Sequence, residues 1–106
     1  MSWDISLEKE KLMLDKIYIG NYTYNVNPMY AKAMGIIGLN EFLQNQRCSE
    51  VIPTLKEGIR NMELYPKVYK KMNPKNGWGD YDGALQFLKD ILLNCKTHLD
   101  YTIKVY

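Results

Sequence analysis

Apolar and polar residues alternate at the start of the chain, where Trp3, Ile5 and Leu7 fall between Asp4, Ser6 and Glu8. A period of two predicts a strand with one wet face. Glu8-Lys9-Glu10-Lys11 is charged throughout and is expected to include the turn of a hairpin. Residues 12–24, LMLDKIYIGNYTY, are rich in Ile, Tyr and Thr, which suit a pleated surface. They predict a second strand, bulged or broken near Asp15 or Gly20. Asn27-Pro28 then opens a helix: Asn can cap, and Pro fits the first helical position, where its missing N–H costs nothing. This helix is short, over 28–34, and Gly35 suits the left-handed residue that closes it. Leu39, Phe42 and Leu43 predict another short helical piece ending near Asn45.

Ser49 is the expected cap of the next helix. There Ile52, Leu55, Ile59 and Met62 recur at i, i+3, i+7 and i+10 as a core-facing stripe. Pro53 is expected near its first turn, where proline is tolerated. Pro66 opens a short helix carrying Val68, Tyr69 and Met72. The clearest pattern follows, over residues 80–96. Tyr81, Ala84, Leu85, Leu88, Ile91, Leu92 and Cys95 keep one face apolar, and Asp82, Gln86, Lys89, Asp90 and Lys96 take the other. Asp80 is placed to cap this helix, which spans about 24 Å at about 1.5 Å per residue. Tyr101, Ile103 and Val105 alternate with Thr102, Lys104 and Tyr106 as a final strand. Strand, strand, several helices and strand predict an α+β fold, in which an N-terminal hairpin and the C-terminal strand form a small antiparallel sheet with helices on one face.

A chain of 106 residues forms one domain with a small core. Its composition, 46% hydrophobic and 25% charged with nine tyrosines, excludes a disordered chain. Lys outnumbers Arg twelve to two, and Asn is as frequent as Tyr. These residues with Ile have AT-rich codons, which hints at an AT-rich bacterial or phage genome. A net charge of +2 is small for a protein that grips phosphates, so nucleic acid is demoted as a partner. No secretory leader and no run of about 20 apolar residues is seen, so no membrane is expected. Cys48 and Cys95 form no CxxC pair and predict two reduced, space-filling thiols in a cytoplasmic protein.

The stretch NPKNGWGDYDGALQFL, residues 73–88, sets three glycines, Trp78, Tyr81 and two aspartates just where a helix begins. It matches neither the P-loop nor the dinucleotide fingerprint. Asp80 and Asp82 already place negative charge where a phosphate would sit. They lack the further oxygen ligands of a calcium loop, so no metal or cofactor is expected. Two readings remain. In one, Asp80 caps, the glycines supply positive φ and Trp78 folds back as a lid on the core. In the other, Trp78 and Tyr81 offer flat faces while Asn76, Asp80 and Asp82 offer hydrogen bonds to a small ligand. A second segment, NYTYNVNPMY at 21–30, brings Tyr22, Tyr24, Asn25 and Tyr30, either as strand-end turns or as a polar aromatic patch. Lys67, Lys70, Lys71 and Lys75 lie beside the loop. Solvated helix face is the default for them, but Lys71 and Lys75 are where phosphates of a nucleotide-like ligand would go.

Signals of catalysis are poor. His98 is the lone histidine and follows Cys95 by three, but Cys95 lies on the apolar stripe, where a buried thiol is inert. The chain resembles a set of short bacterial and phage proteins. The resemblance runs through Asn21-Tyr22-Thr23-x-Asn25, Met29 and Ala33, and most fully through Asn73-Pro74-x-Asn76-Gly77-Trp78-Gly79-Asp80-Tyr81-x-Gly83-Ala84-x-x-Phe87-Leu88. It covers most of the chain, implies a cytosolic bacterial or phage protein, and supplies no activity. The expectation is therefore a non-enzymatic module. It would hold a polar, nucleotide-like molecule between residues 21–30 and 73–82, in a homo-oligomer with sites near the interface. If phage-borne, it would sequester a host defence signal. The alternative is an inhibitor or adaptor that docks on a host protein through the same tyrosine-rich surface.

Overall fold

The computed structural model describes residues 1–9 and 15–106. It is an α+β fold. Strands β1 (Ser2–Lys9), β2 (Asp15–Thr23) and β3 (Thr102–Val105) form an antiparallel sheet in the order β2-β1-β3. Between β2 and β3 come a short 3-10 turn (Tyr24–Val26) and five helices. These are α1 (Asn27–Met34), α2 (Leu39–Leu43), α3 (Cys48–Leu64), α4 (Pro66–Lys70) and α5 (Tyr81–Thr97). Glu8 and Lys9 continue β1, and the turn expected in the charged stretch falls partly on Glu10 and Lys11, outside the described residues.

The expected bulge is present, at Ile19. Ile5 pairs with Gly20 and Ser6 with Tyr18, so one extra residue sits in β2. The insertion reverses the alternation along β2. Tyr22 and Gly20 face the helices at one end, with a Gly20 Cβ position 3.7 Å from Phe87, and Ile17 packs on the core at the other. Tyr18 thereby turns to the outer face, where its hydroxyl donates to Asp4 at 2.9 Å. Tyr106 likewise donates to Glu8 at 2.8 Å, and the Lys16 ammonium lies 4.9 Å from the Tyr106 ring.

Trp3, Ile5 and Leu7 meet α1, α3 and α5 in a single core with Met29, Leu55, Met62, Leu88, Ile91 and Ile103. The free side of β3 is covered by residues 44–47. Ile103 N–H donates to the Gln46 carbonyl at 2.8 Å, and the Gln44 amide both accepts from and donates to the Val105 backbone. Among the described residues only β2 presents an unpaired strand edge.

Two caps differ from expectation. Asn27 does not cap its own helix; its side-chain oxygen accepts from Leu39 N–H at 3.0 Å and starts α2 instead. Ser49 caps nothing. The first amides of α3, on Cys48 and Ser49, donate to the Tyr101 and Leu99 carbonyls of the loop before β3, at 2.9 and 3.0 Å. Backbone brought from the far end of the chain does the work of a side-chain cap. The helix consequently begins earlier and Pro53 sits inside it. The missing N–H leaves only the carbonyl of exposed Ser49 without a helical donor, where water can serve.

Candidate functional site

The loop before α5 is built by local hydrogen bonds rather than by burial of its tryptophan. Gly77 N–H donates to the Pro74 carbonyl at 3.3 Å, and Asn76 Oδ1 accepts from Trp78 N–H at 3.0 Å. Gly77 and Gly79 both take positive φ, +78° and +88°. At Gly79 space adds to conformation, because a Cβ would lie 2.5 Å from Thr23 Cγ2. The loop then presses against β2. The Tyr22 hydroxyl accepts from Asp80 N–H at 3.0 Å and lies 3.3 Å from the Asp80 carbonyl, to which it donates. Gly83 is helical and has a different reason to be glycine: its Cβ would lie 2.2 Å from that same hydroxyl.

Three amides at the start of α5 are spent. Asp80 N–H goes to Tyr22, Tyr81 N–H to Asn73 Oδ1 at 2.9 Å, and Gly83 N–H to the Asp80 carboxylate at 2.8 Å. Asp80 is the N-cap its position predicts. A phosphate at this helix end would have to displace three internal hydrogen bonds and face Asp80 and Asp82.

Between the loop and the end of the sheet lies an open cleft of about 590 Å³, lined by Met1, Ser2, Asn21, Tyr22, Thr23, Asn25, Asn76, Trp78 and Gly79. It joins the two segments that stand out in the sequence. The Asn76 side chain donates to Asn25 Oδ1 at 3.4 Å across the join, and Asn25 in turn donates to Thr23 Oγ1 at 2.9 Å. Asn21 donates to Ser2 Oγ at 3.1 Å. Trp78 is 66% exposed and is no lid on the core.

Of the residues expected at a ligand, Tyr22, Asn25, Asn76 and Trp78 come together here. Tyr30 and Tyr81 do not. Tyr30 is fully buried with its hydroxyl donating to the Ala84 carbonyl at 2.8 Å, and Tyr81 is buried with its hydroxyl on the Met62 carbonyl at 2.7 Å. Burial pushes both phenols above their ordinary value, with repulsion from Tyr22 adding at Tyr30 and from Glu63 and Asp82 at Tyr81. Tyr24 leans on the Trp3 ring, centroids 5.4 Å apart, and is half exposed beside the cleft rather than in its lining. Asp80 is occupied as the cap. Lys71 and Lys75 are exposed and are not among the lining residues. Ser2, Asn21 and Thr23 also line the cleft, although the sequence marks none of them as a ligand contact. Asn21 and Thr23 lie inside the 21–30 segment, but only the pairing of Asp4 with Asn21 and Ser2 with Thr23 brings the start of β1 to the same place.

Cys95 and His98 form no dyad. His98 Nδ1 lies 3.0 Å from the Asn94 carbonyl and 2.9 Å from Thr97 Oγ1. The Cys95 thiol is buried against Cys48, and a hydrogen bond with Cys48 followed by burial pushes it far up. Among the described residues no three His, Cys, Asp or Glu side chains group to hold a metal ion, and no helix is long and apolar enough to cross a membrane. Comparison with protein-family models, curated proteins and solved structures finds no match for this chain.

Proposed function

We propose that the protein is a small non-enzymatic module whose cleft binds a polar, nucleotide-like molecule carrying a flat ring. The observation that carries this reading is the exposure of Trp78 in a wall of asparagine amides. Leaving two thirds of an indole in water forgoes roughly 2–4 kcal/mol of apolar burial, a large share of a small domain's stability. The chain holds the ring out with two positive-φ glycines and an Asn76 side-chain cap. Aromatic face plus a few aimed polar groups is the composition of a small-molecule site. Because the cleft is open, a second copy of the chain would serve to close it, which favours a homo-oligomer with the site near the interface. In a phage, such a module would sequester a host signal in the cytoplasm of the infected bacterium.

Native mass spectrometry of freshly purified protein tests this reading by displaying a retained small molecule and the subunit count together. Thermal shift against a nucleotide panel adds a second measure, because a ligand at about 100 times its Kd stabilises by about 2.7 kcal/mol. A second reading rests on the same exposed rings. Trp78 and Tyr24 could anchor a host protein, since a central aromatic is a frequent hot spot. No retained molecule, a flat response to the panel, and a host protein recovered through Trp78 would favour that reading over the first.

A further inference from the structure

The cleft is lined without a charged side chain: Ser2, Asn21, Tyr22, Thr23, Asn25, Asn76 and Trp78 are all neutral, and Gly79 adds only backbone. Met1 also lines the cleft but is 99% exposed, so any charge there stays in water and gives an anion little. The nearest carboxylate in sequence, Asp80, would repel an anion. A phosphate held in this cleft would lose hydration without a cation to replace it. The lysines that the sequence offered for that task, Lys71 and Lys75, are exposed and are not among the lining residues.

The polar groups that remain suit a different feature of a nucleotide. The Tyr22 hydroxyl both donates to and accepts from Asp80, so it is closed to a ligand. The three amides are only half used. Asn21 commits one N–H to Ser2, and its Oδ1 has no protein donor among the described residues. Asn25 commits one N–H to Thr23, and Asn76 commits one N–H to Asn25 and its oxygen to Trp78 N–H. Each amide nitrogen retains a second N–H, and each oxygen retains a lone pair. The cleft that Trp78 helps to line thus offers neutral donors and acceptors.

Resting on the ligand-binding reading above, we propose that the cleft selects the ring of its ligand. It takes a neutral heterocycle with donors and acceptors along one edge, as a nucleobase has, stacked on Trp78 and read by Asn21, Asn25 and Asn76, and it leaves any phosphate in solvent. Stacking is sequence-tolerant while amide pairing discriminates, so the bases differ in affinity through the asparagines.

The test is calorimetric titration of the purified full chain with the four ribonucleosides, their mono- and triphosphates, ribose phosphate and inorganic phosphate. The expected result is that the preferred nucleoside and its phosphates bind within about threefold of one another. Affinity should change less than about twofold between about 50 and about 500 mM salt. Asn76→Asp keeps the oxygen that caps Trp78 but removes the amide N–H and with it the 3.4 Å hydrogen bond to Asn25; it should weaken the preferred nucleoside about tenfold while the melting temperature falls by only a few degrees, leaving the protein folded at the titration temperature. Replacing Lys71 and Lys75 together by Ala should leave affinity unchanged. Phosphorylated ligands that bind where nucleosides do not, with affinity falling steeply in salt, overturn ring selection and leave the ligand-binding reading standing. So does a retained molecule of another chemistry, identified by mass spectrometry and lost in Trp78→Ala. Protein that retains nothing and binds no member of the panel overturns both.

Discussion

Tyr22 and Asp80, 58 residues apart in the chain, close a two-hydrogen-bond clasp in which the tyrosine hydroxyl accepts from the Asp80 N–H and donates to the Asp80 carbonyl. The clasp fixes the tryptophan loop to the sheet, and the Tyr22 ring continues it inward onto Phe87, with centroids 5.7 Å apart. Tyr22→Phe keeps the ring and deletes the clasp. We expect a loss of about 1–2 kcal/mol, or roughly 4–12 °C in Tm for a domain of this size. Because the loop is then tied only by its own turns and Asn76, iodide quenching of tryptophan fluorescence should also rise. An unchanged melt with unchanged quenching would show that the clasp carries no weight.

Gly83 lies under the same hydroxyl. In a helix Gly→Ala normally stabilises by about 1 kcal/mol. Here the new Cβ would lie 2.2 Å from the Tyr22 oxygen and 2.8 Å from Cζ, so either the ring or the helix must move. We expect Gly83→Ala to destabilise, and to be non-additive with Tyr22→Phe by at least about 0.5 kcal/mol in a double-mutant cycle measured by urea denaturation. Additivity, or a gain in stability from the single change, would refute the close packing.

The two tryptophans should behave oppositely. Trp3 is 3% exposed and packs on Tyr24 and Tyr30, whereas Trp78 stands in solvent. We expect Trp78→Ala to shift stability by no more than about 0.5 kcal/mol, as for an ordinary surface change, and to abolish ligand binding. Trp3→Ala should cost about 3–5 kcal/mol and leave little folded protein. Circular dichroism melts of the two variants decide this, and a large loss of Tm in Trp78→Ala would return the indole to a structural role.

The architecture was legible wherever one local signal sufficed. Alternation found β1 and β3, the unbroken apolar stripe found α5, and Asp80 and Gly35 are the cap and the left-handed closing residue their positions imply. The signals failed where a distant segment intervenes. The start of α3 is held by carbonyls from residues 99 and 101, which no pattern around Ser49 encodes. Asn27 spends its side chain on α2 because the chain turns back after Gly35. Composition could name the tyrosine-rich segment but could not sort its rings. Tyr22 is partly buried with its hydroxyl on a loop amide, whereas Tyr30 is fully buried with its hydroxyl on a helix carbonyl, and these differences separate clasp from core. The place of Asn21 in the cleft was not legible, because it depends on strand register.

Alkaline pH should expose the buried phenols. Tyr30 and Tyr81 have folded-state values above the unfolded value near 10, chiefly because burial penalises the phenolate. The native state therefore keeps protons that the unfolded chain releases, and stability must fall as pH rises through this window. Below about pH 10 the contribution is fully present; above it, each unit of pH costs up to about 1.4 kcal/mol per such group until its folded value is reached. Tyr18 and Tyr106 are raised by hydrogen bonds to Asp4 and Glu8 at exposed positions, where solvent screens the effect, and should add little. We expect urea midpoints that are level from about pH 8 to 9.5 and decline above about pH 10, with a shallower decline in Tyr30→Phe. That variant starts lower, because the Ala84 carbonyl loses its donor, so the slope and not the starting value carries the comparison. Identical slopes in the two proteins would mean that Tyr30 does not titrate with unfolding, and that the alkaline limit is set by other groups.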